Sequence, residues 1–147
     1  MKVTVARKEF ADALKIVLKA VATKTLTPVL GGIYFKASGS VLEMQGTDNS
    51  IGIVAKIGAN VEDDGEIVLL GKKCFELVQK LSGDTVTIKT VENQSAEILS
   101  AGTKYNLFVI DAEDFPKVKQ EEDLKTFRFR QSKFKDMRRC IHKKIMI

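Results

Sequence analysis

Nucleophiles, general bases and metal ligands are scarce in this 147-residue sequence, and few of them fall into usable groupings. The single histidine, His142, stands in a basic carboxy-terminal stretch, so any Ser/His/Asp or Cys/His unit would depend on one solvated side chain. Cys74 and Cys140 lie far apart, and neither belongs to a CxxC or Cys/His cluster; reduced thiols are expected, with no zinc site and no disulfide framework. Gly71-Lys72 has the Gly-Lys pair of a phosphate-binding loop, but Glu66 stands where the first glycine is needed and Lys73 where Ser or Thr is required. The paired acids Asp63-Asp64 and Glu113-Asp114 read as turn and boundary residues, and no kinase, hydrolase or zincin pattern occurs. The sequence therefore predicts a protein with no catalytic residues, no metal and no cofactor.

Charge is the remaining chemical resource. The net charge of +5 invites a nucleic-acid reading, but it is unevenly distributed. Residues 1 to 116 carry 13 Lys and Arg against 15 Asp and Glu, whereas residues 117 to 147 carry 11 against 4. The high isoelectric point thus belongs to the tail, and a case for the body must rest on where its lysines stand. Lys8, Lys15 and Lys19 recur with helical spacing, joined by Asp12, and Lys72, Lys73 and Lys80 recur around a second apolar stripe.

These lysines are placed by a short list of elements. Lys2 to Ala6 alternates, with Val3 and Val5 on one face, and the period then changes to about 3.6, with Phe10, Leu14, Val17 and Val21 in register. Thr23 to Pro28 ends this helix, because Thr-Pro disfavours helical geometry at Thr27, and a loop carrying Lys24 results. Strands are predicted over Ile33 to Ala37, Val41 to Gln45, Ile51 to Ile57 and Glu66 to Leu70, with turns at Ser38-Gly39, Gly46 to Asn49 and Asp63 to Gly65. A second helix opens at Gly71, buries Cys74, Leu77, Val78 and Leu81, and closes at Ser82-Gly83. Thr85 to Thr90, Ala96 to Ser100 and Lys104 to Ile110 complete eight strands and two helices, an α+β pattern with helices on one side of antiparallel sheets. Residues 1–118 form the predicted domain; residues 119–147 read as a charged linker followed by a strand at Phe127 and Phe129 and a partial helix. No apolar run approaches the ~18 residues of a membrane span, and no signal peptide is read at the amino terminus, so a cytoplasmic, membrane-free location is expected.

Four short motifs carry a resemblance: Met1-Lys2-Val3-Thr4-Val5, Thr27-Pro28-Val29-Leu30-Gly31, Gly46-Thr47-Asp48 and Asp114-Phe115-Pro116. In this order and at these distances they resemble the first domain of the bacterial DNA polymerase III beta subunit family of sliding clamps, over residues 1 to about 118. Residues 126 to about 141 resemble the start of a second clamp domain, truncated. Taken singly, each motif has a structural reading: Pro28 and Gly31 shape a turn, Thr47-Asp48 satisfies backbone donors in a loop, and Phe115-Pro116 packs the domain boundary.

The resemblance implies a DNA-encircling, non-catalytic replication processivity factor, a homo-oligomeric ring whose helices line a central hole. Cationic side chains then face double-stranded DNA without reading its sequence. Lys8, Lys15, Lys19, Lys24, Lys72, Lys73 and Lys80 are the implied DNA-binding residues, Lys24 foremost. The resemblance also makes Lys104 to Val109 an edge strand for other clamp protomers, with Tyr105 and Leu107 facing the partner. DNA polymerase and clamp loader are partners of an intact clamp, but their peptide-binding pocket lies in domains beyond the residues matched here. Two further readings compete: an interaction module whose Tyr105 and Leu107 cap or block an intact clamp, and a basic tail, Arg128 to Lys144, acting as a separate nucleic-acid anchor.

Overall fold

The computed structural model describes residues 1–118. The elements expected from 119 onward, together with Cys140 and His142, lie outside them. The first strand, β1 (Lys2–Ala6), buries Val3 and Val5, and its other face pairs the Thr4 and Thr87 hydroxyls 2.8 Å apart. Helix α1 (Arg7–Val17) follows without a linker and without a side-chain cap, Ala6 being the residue before it. Its start is held instead by a distant turn: the Arg7 N–H donates to the Asp84 carbonyl at 2.8 Å and Arg7 Nε to the Gly83 carbonyl at 2.7 Å. Phe10, Ala13, Leu14 and Val17 form the buried face, and the helix tightens into a 3-10 turn over Leu18–Ala20.

After a second 3-10 turn (Pro28–Gly31) come β2 (Gly32–Ser38), β3 (Val41–Thr47), β4 (Gly52–Gly58), β5 (Asn60–Asp63) and β6 (Gly65–Leu70). Helix α2 (Gly71–Lys80), then β7 (Thr85–Val91), β8 (Ser95–Ser100) and β9 (Thr103–Ile110), complete the list before a short 3-10 turn at Ala112–Asp114. All pairings are antiparallel, in the order β4-β3-β2-β6-β9-β8-β7-β1-β5. Strand β5 is a ninth strand, in a stretch to which the sequence pattern assigns no element beyond the turn starting at Asp63. Only Val61 in it is apolar and half-buried, and its strand geometry comes from pairing Thr4↔Asn60 and Val3↔Val61 with β1, far away in the chain. The first and last strands of the order, β4 and β5, are separated in sequence by Ala59 alone. One residue spans only about 3.8 Å, so the sheet must curl until its two ends nearly meet.

A single core fills the inside of this curl. Phe10, Leu14 and Val17 of α1 and Cys74 and Val78 of α2 pack with Val3, Ile33, Phe35, Leu42, Leu69, Ile88 and Ile98 from both halves of the sheet. Phe10 and Phe35 meet at 6.1 Å between ring centroids, and each fully buried side chain of this size contributes about 1.5–3 kcal/mol. Burial pushes the Cys74 thiol up to about 12, so it stays a protonated, inert core residue. Gly46 permits the closest approach of helix and sheet: a Cβ there would lie 2.8 Å from the Val17 carbonyl oxygen. The β2 strand does not alternate, because its outer face is covered too. Tyr34 lies there with Val29, Leu30, Val68 and Phe115 in a second, smaller cluster.

Candidate nucleic-acid interface

Helices α1 and α2 pack side by side against the core and leave their outer faces to solvent. Lys8 and Lys15 are exposed on α1, Lys19 on the 3-10 turn that continues it, and Lys24 in the segment that follows. Lys72, Lys73 and Lys80 are exposed on α2. None of these seven forms an ion pair among the described residues. Four lysines elsewhere do: Lys2 with Glu62 at 2.6 Å, Lys56 with Glu43 at 3.4 Å, Lys104 with Glu97 at 2.5 Å and Lys117 with Glu66 at 3.2 Å. Three of the five strand lysines are thus matched by local carboxylates, Lys36 and Lys89 being exposed without an ion pair among the described residues, while the positive charge on the helices is left for an external anion. Acids on this side are few, Glu9 and Asp12 on α1 and Glu76 on α2.

The loop after β3 is built to be rigid. Thr47 Oγ1 donates to the Ile51 carbonyl at 2.9 Å and accepts from the Asn49 N–H at 3.1 Å, and Asp48 Oδ1 accepts from the Ser50 and Ile51 N–H groups, both at 2.8 Å. The Ile51 and Ser50 amides hold the Asp48 carboxyl below its usual range. Asn49, at φ 70°, takes the left-handed position. This loop therefore works as a backbone brace, with Asp48 Oδ1 engaged by two amides.

The strand expected to form an edge is split between two neighbours. Residues 103–108 of β9 pair with β8, and only Val109 and Ile110 pair with β6. The flank of residues 103–108 opposite β8 has no strand partner among the described residues. Tyr105 stands opposite Ile98 and is 40% exposed, while Leu107 stands opposite Ala96 and packs, half-buried, against the core. The residue that sequence reasoning missed is Phe108, 63% exposed. Period-two alternation was the available signal, since it sets Phe108 on the face opposite Tyr105 and Leu107. Phe108 lines a small cleft with Leu70, Lys73, Asn106 and Leu107, which brings one α2 lysine beside this strand. Among the described residues no group of three His, Cys, Asp or Glu could hold a metal ion.

Residues 1–119 match the family model described as DNA polymerase III beta subunit, N-terminal domain. The chain belongs to that family. It is 33% identical over 132 residues to the beta sliding clamp of Bacillus subtilis (strain 168), an alignment covering 84% of this chain and 35% of that protein. The solved structure of the Bacillus subtilis DNA polymerase sliding clamp superposes with a TM-score of 0.81 at 31% identity, over 84% of this chain and 34% of that one. Caulobacter crescentus pol III beta superposes with a TM-score of 0.78 at 27% identity, over 82% of this chain and 33% of that one. The two helices and curled antiparallel sheet are thus the clamp-domain fold, and the chain spans about a third of the length of the sliding clamps it matches.

Proposed function

We propose that this chain acts as the DNA-facing first domain of a sliding clamp, a non-catalytic cytoplasmic processivity factor that surrounds duplex DNA and tethers a replicative polymerase. The observation that carries this reading is a contrast: none of the seven exposed lysines on the helices and the turns that follow α1 is ion-paired among the described residues, whereas three of the five strand lysines are. Unpaired ammonium groups attract phosphate at long range and without base preference, which is compatible with sliding. Other clamp protomers would add to the open flank of β9, with Tyr105, Leu107 and Phe108 at the seam. Polymerase and clamp-loader contacts are expected only through the further domains of a whole clamp, and residues 119–147 are read as a linker and the start of the second clamp domain. The test is binding of the chain to linear duplexes of differing sequence across a salt series. Weak, sequence-independent binding that modest salt abolishes is expected; binding that survives high salt, or that prefers one sequence, would overturn the reading.

The open flank of β9 also favours a second reading, in which the chain docks on an intact clamp and blocks its closure. Mixing the chain with an intact clamp separates the two. A stable stoichiometric complex that prevents loading onto DNA supports the blocking role, and free exchange without inhibition excludes it.

A further inference from the structure

The last four described residues lie across the sheet face that points away from the helices. Phe115 is buried and stacks on Tyr34, with ring centroids 5.4 Å apart and planes 19° apart. Lys117 places Nζ 5.2 Å from the Tyr34 ring centroid and 3.2 Å from Glu66 Oε2. The Val118 N–H donates to Gln45 Oε1 at 2.9 Å, and Gln45 is itself buried and fixed by a 2.6 Å bond from Nε2 to Glu43 Oε1. Val118 also fills the space over Gly52, where a Cβ would come within 2.7 Å of its Cγ2. Glu66, Tyr34, Gln45 and Gly52 belong to β6, β2, β3 and β4, four successive strands of the sheet. Tyr34 alternates with Ile33 and Phe35, which enter the helix-side core, so this whole row lies on the opposite surface.

We infer that residues 115–118 are a strap, an integral part of the domain that is latched across these four strands and fixes where the chain leaves. Its effect is directional: Val118 is held on the sheet surface opposite the one that α1 and α2 cover. The latch has two separable anchors, the Lys117 contact with Glu66 and Tyr34, and the Gln45 amide that receives Val118. Neither is carried by any of the seven helix-side lysines, so the inference stands whatever those helices bind.

Hydrogen exchange of single amides in the full chain tests it. The Val118 amide should be protected in the parent chain, and Gln45→Ala should speed its exchange by about threefold to tenfold, the range expected for losing one hydrogen bond. Lys117→Met should speed it less, and Lys117→Arg should restore it. The amides of Val5 and Ile88, in paired core strands, report on the whole domain. If Gln45→Ala speeds these as well, Lys117→Met becomes the deciding variant, because its side chain is exposed and its loss leaves the core intact. A Val118 amide that exchanges at the rate of an unstructured peptide in the parent chain, or one indifferent to the deciding variant, would overturn the strap.

Discussion

Replacing Lys15, Lys19 and Lys24 with glutamine removes three of the seven unpaired helix-side charges while leaving the core faces of α1 untouched. Each lysine that neutralises a phosphate contributes about −0.9 to the slope of log affinity against log salt, so seven give a slope of about −6 and four a slope of about −4. Raising salt from about 50 to about 200 mM should then weaken the parent between 10³- and 10⁴-fold and the triple variant only about 10²-fold. The control replaces Lys2 and Lys56, whose charges are already matched by Glu62 and Glu43, and should leave the slope within half a unit of the parent's, roughly the contribution of less than one phosphate. Exposed substitutions of this kind shift stability by only about 0.5 kcal/mol, so a matched melting temperature confirms that binding alone has changed. Anisotropy of a fluorescent duplex, titrated at four or more salt concentrations, measures the slopes. Equal slopes for parent and triple variant, or an equal loss in the strand control, would refute the argument that the helical face meets DNA.

Phe108→Asp should reduce self-association of the chain, followed by light scattering over a concentration series, without lowering its melting temperature, because Phe108 is mostly exposed. Leu107→Asp should lower stability as well, since Leu107 packs against the core; equal behaviour of the two variants would contradict the assignment of faces. Gly46→Ala should destabilise the domain by about 1–3 kcal/mol in urea unfolding, because the new methyl group meets the Val17 carbonyl and the helix must move; an unchanged midpoint would show that the helix approaches less closely. The Asp48 carboxyl is depressed below its ordinary 3.8 by the Ile51 and Ser50 amides, so its contribution is present above that value and lost as pH falls through the lower folded-state value. Asp48→Asn should therefore flatten the acid limb of the stability curve below about pH 4 and leave the neutral region little altered, as followed by thermal melts; an identical acid limb would count against the brace.

Local pattern was enough for everything governed by local geometry. Val3 and Val5 announced a strand, and the spacing of Phe10, Leu14 and Val17 and of Cys74 and Val78 announced two helices with lysines outside, because one-sided burial leaves its period in the sequence. The loop role of Thr47 and Asp48 was legible for the same reason: both side chains bond amides within four residues of themselves. Features made by distant partners were not legible. β5 holds one apolar residue and becomes a strand only because β1 offers it a pairing edge, and Gly46 reads as a turn residue until α1 is laid across it. Phe108 could be set opposite Leu107 by alternation, but which face met the core depended on β8 and the helices. Tyr34, Gln45, Glu66 and Lys117 lie as much as 83 residues apart, and no periodicity links them. Their meeting depends on the order of strands in the sheet, which the chain reaches only when burying both helices against one curled core has fixed the strand pairings.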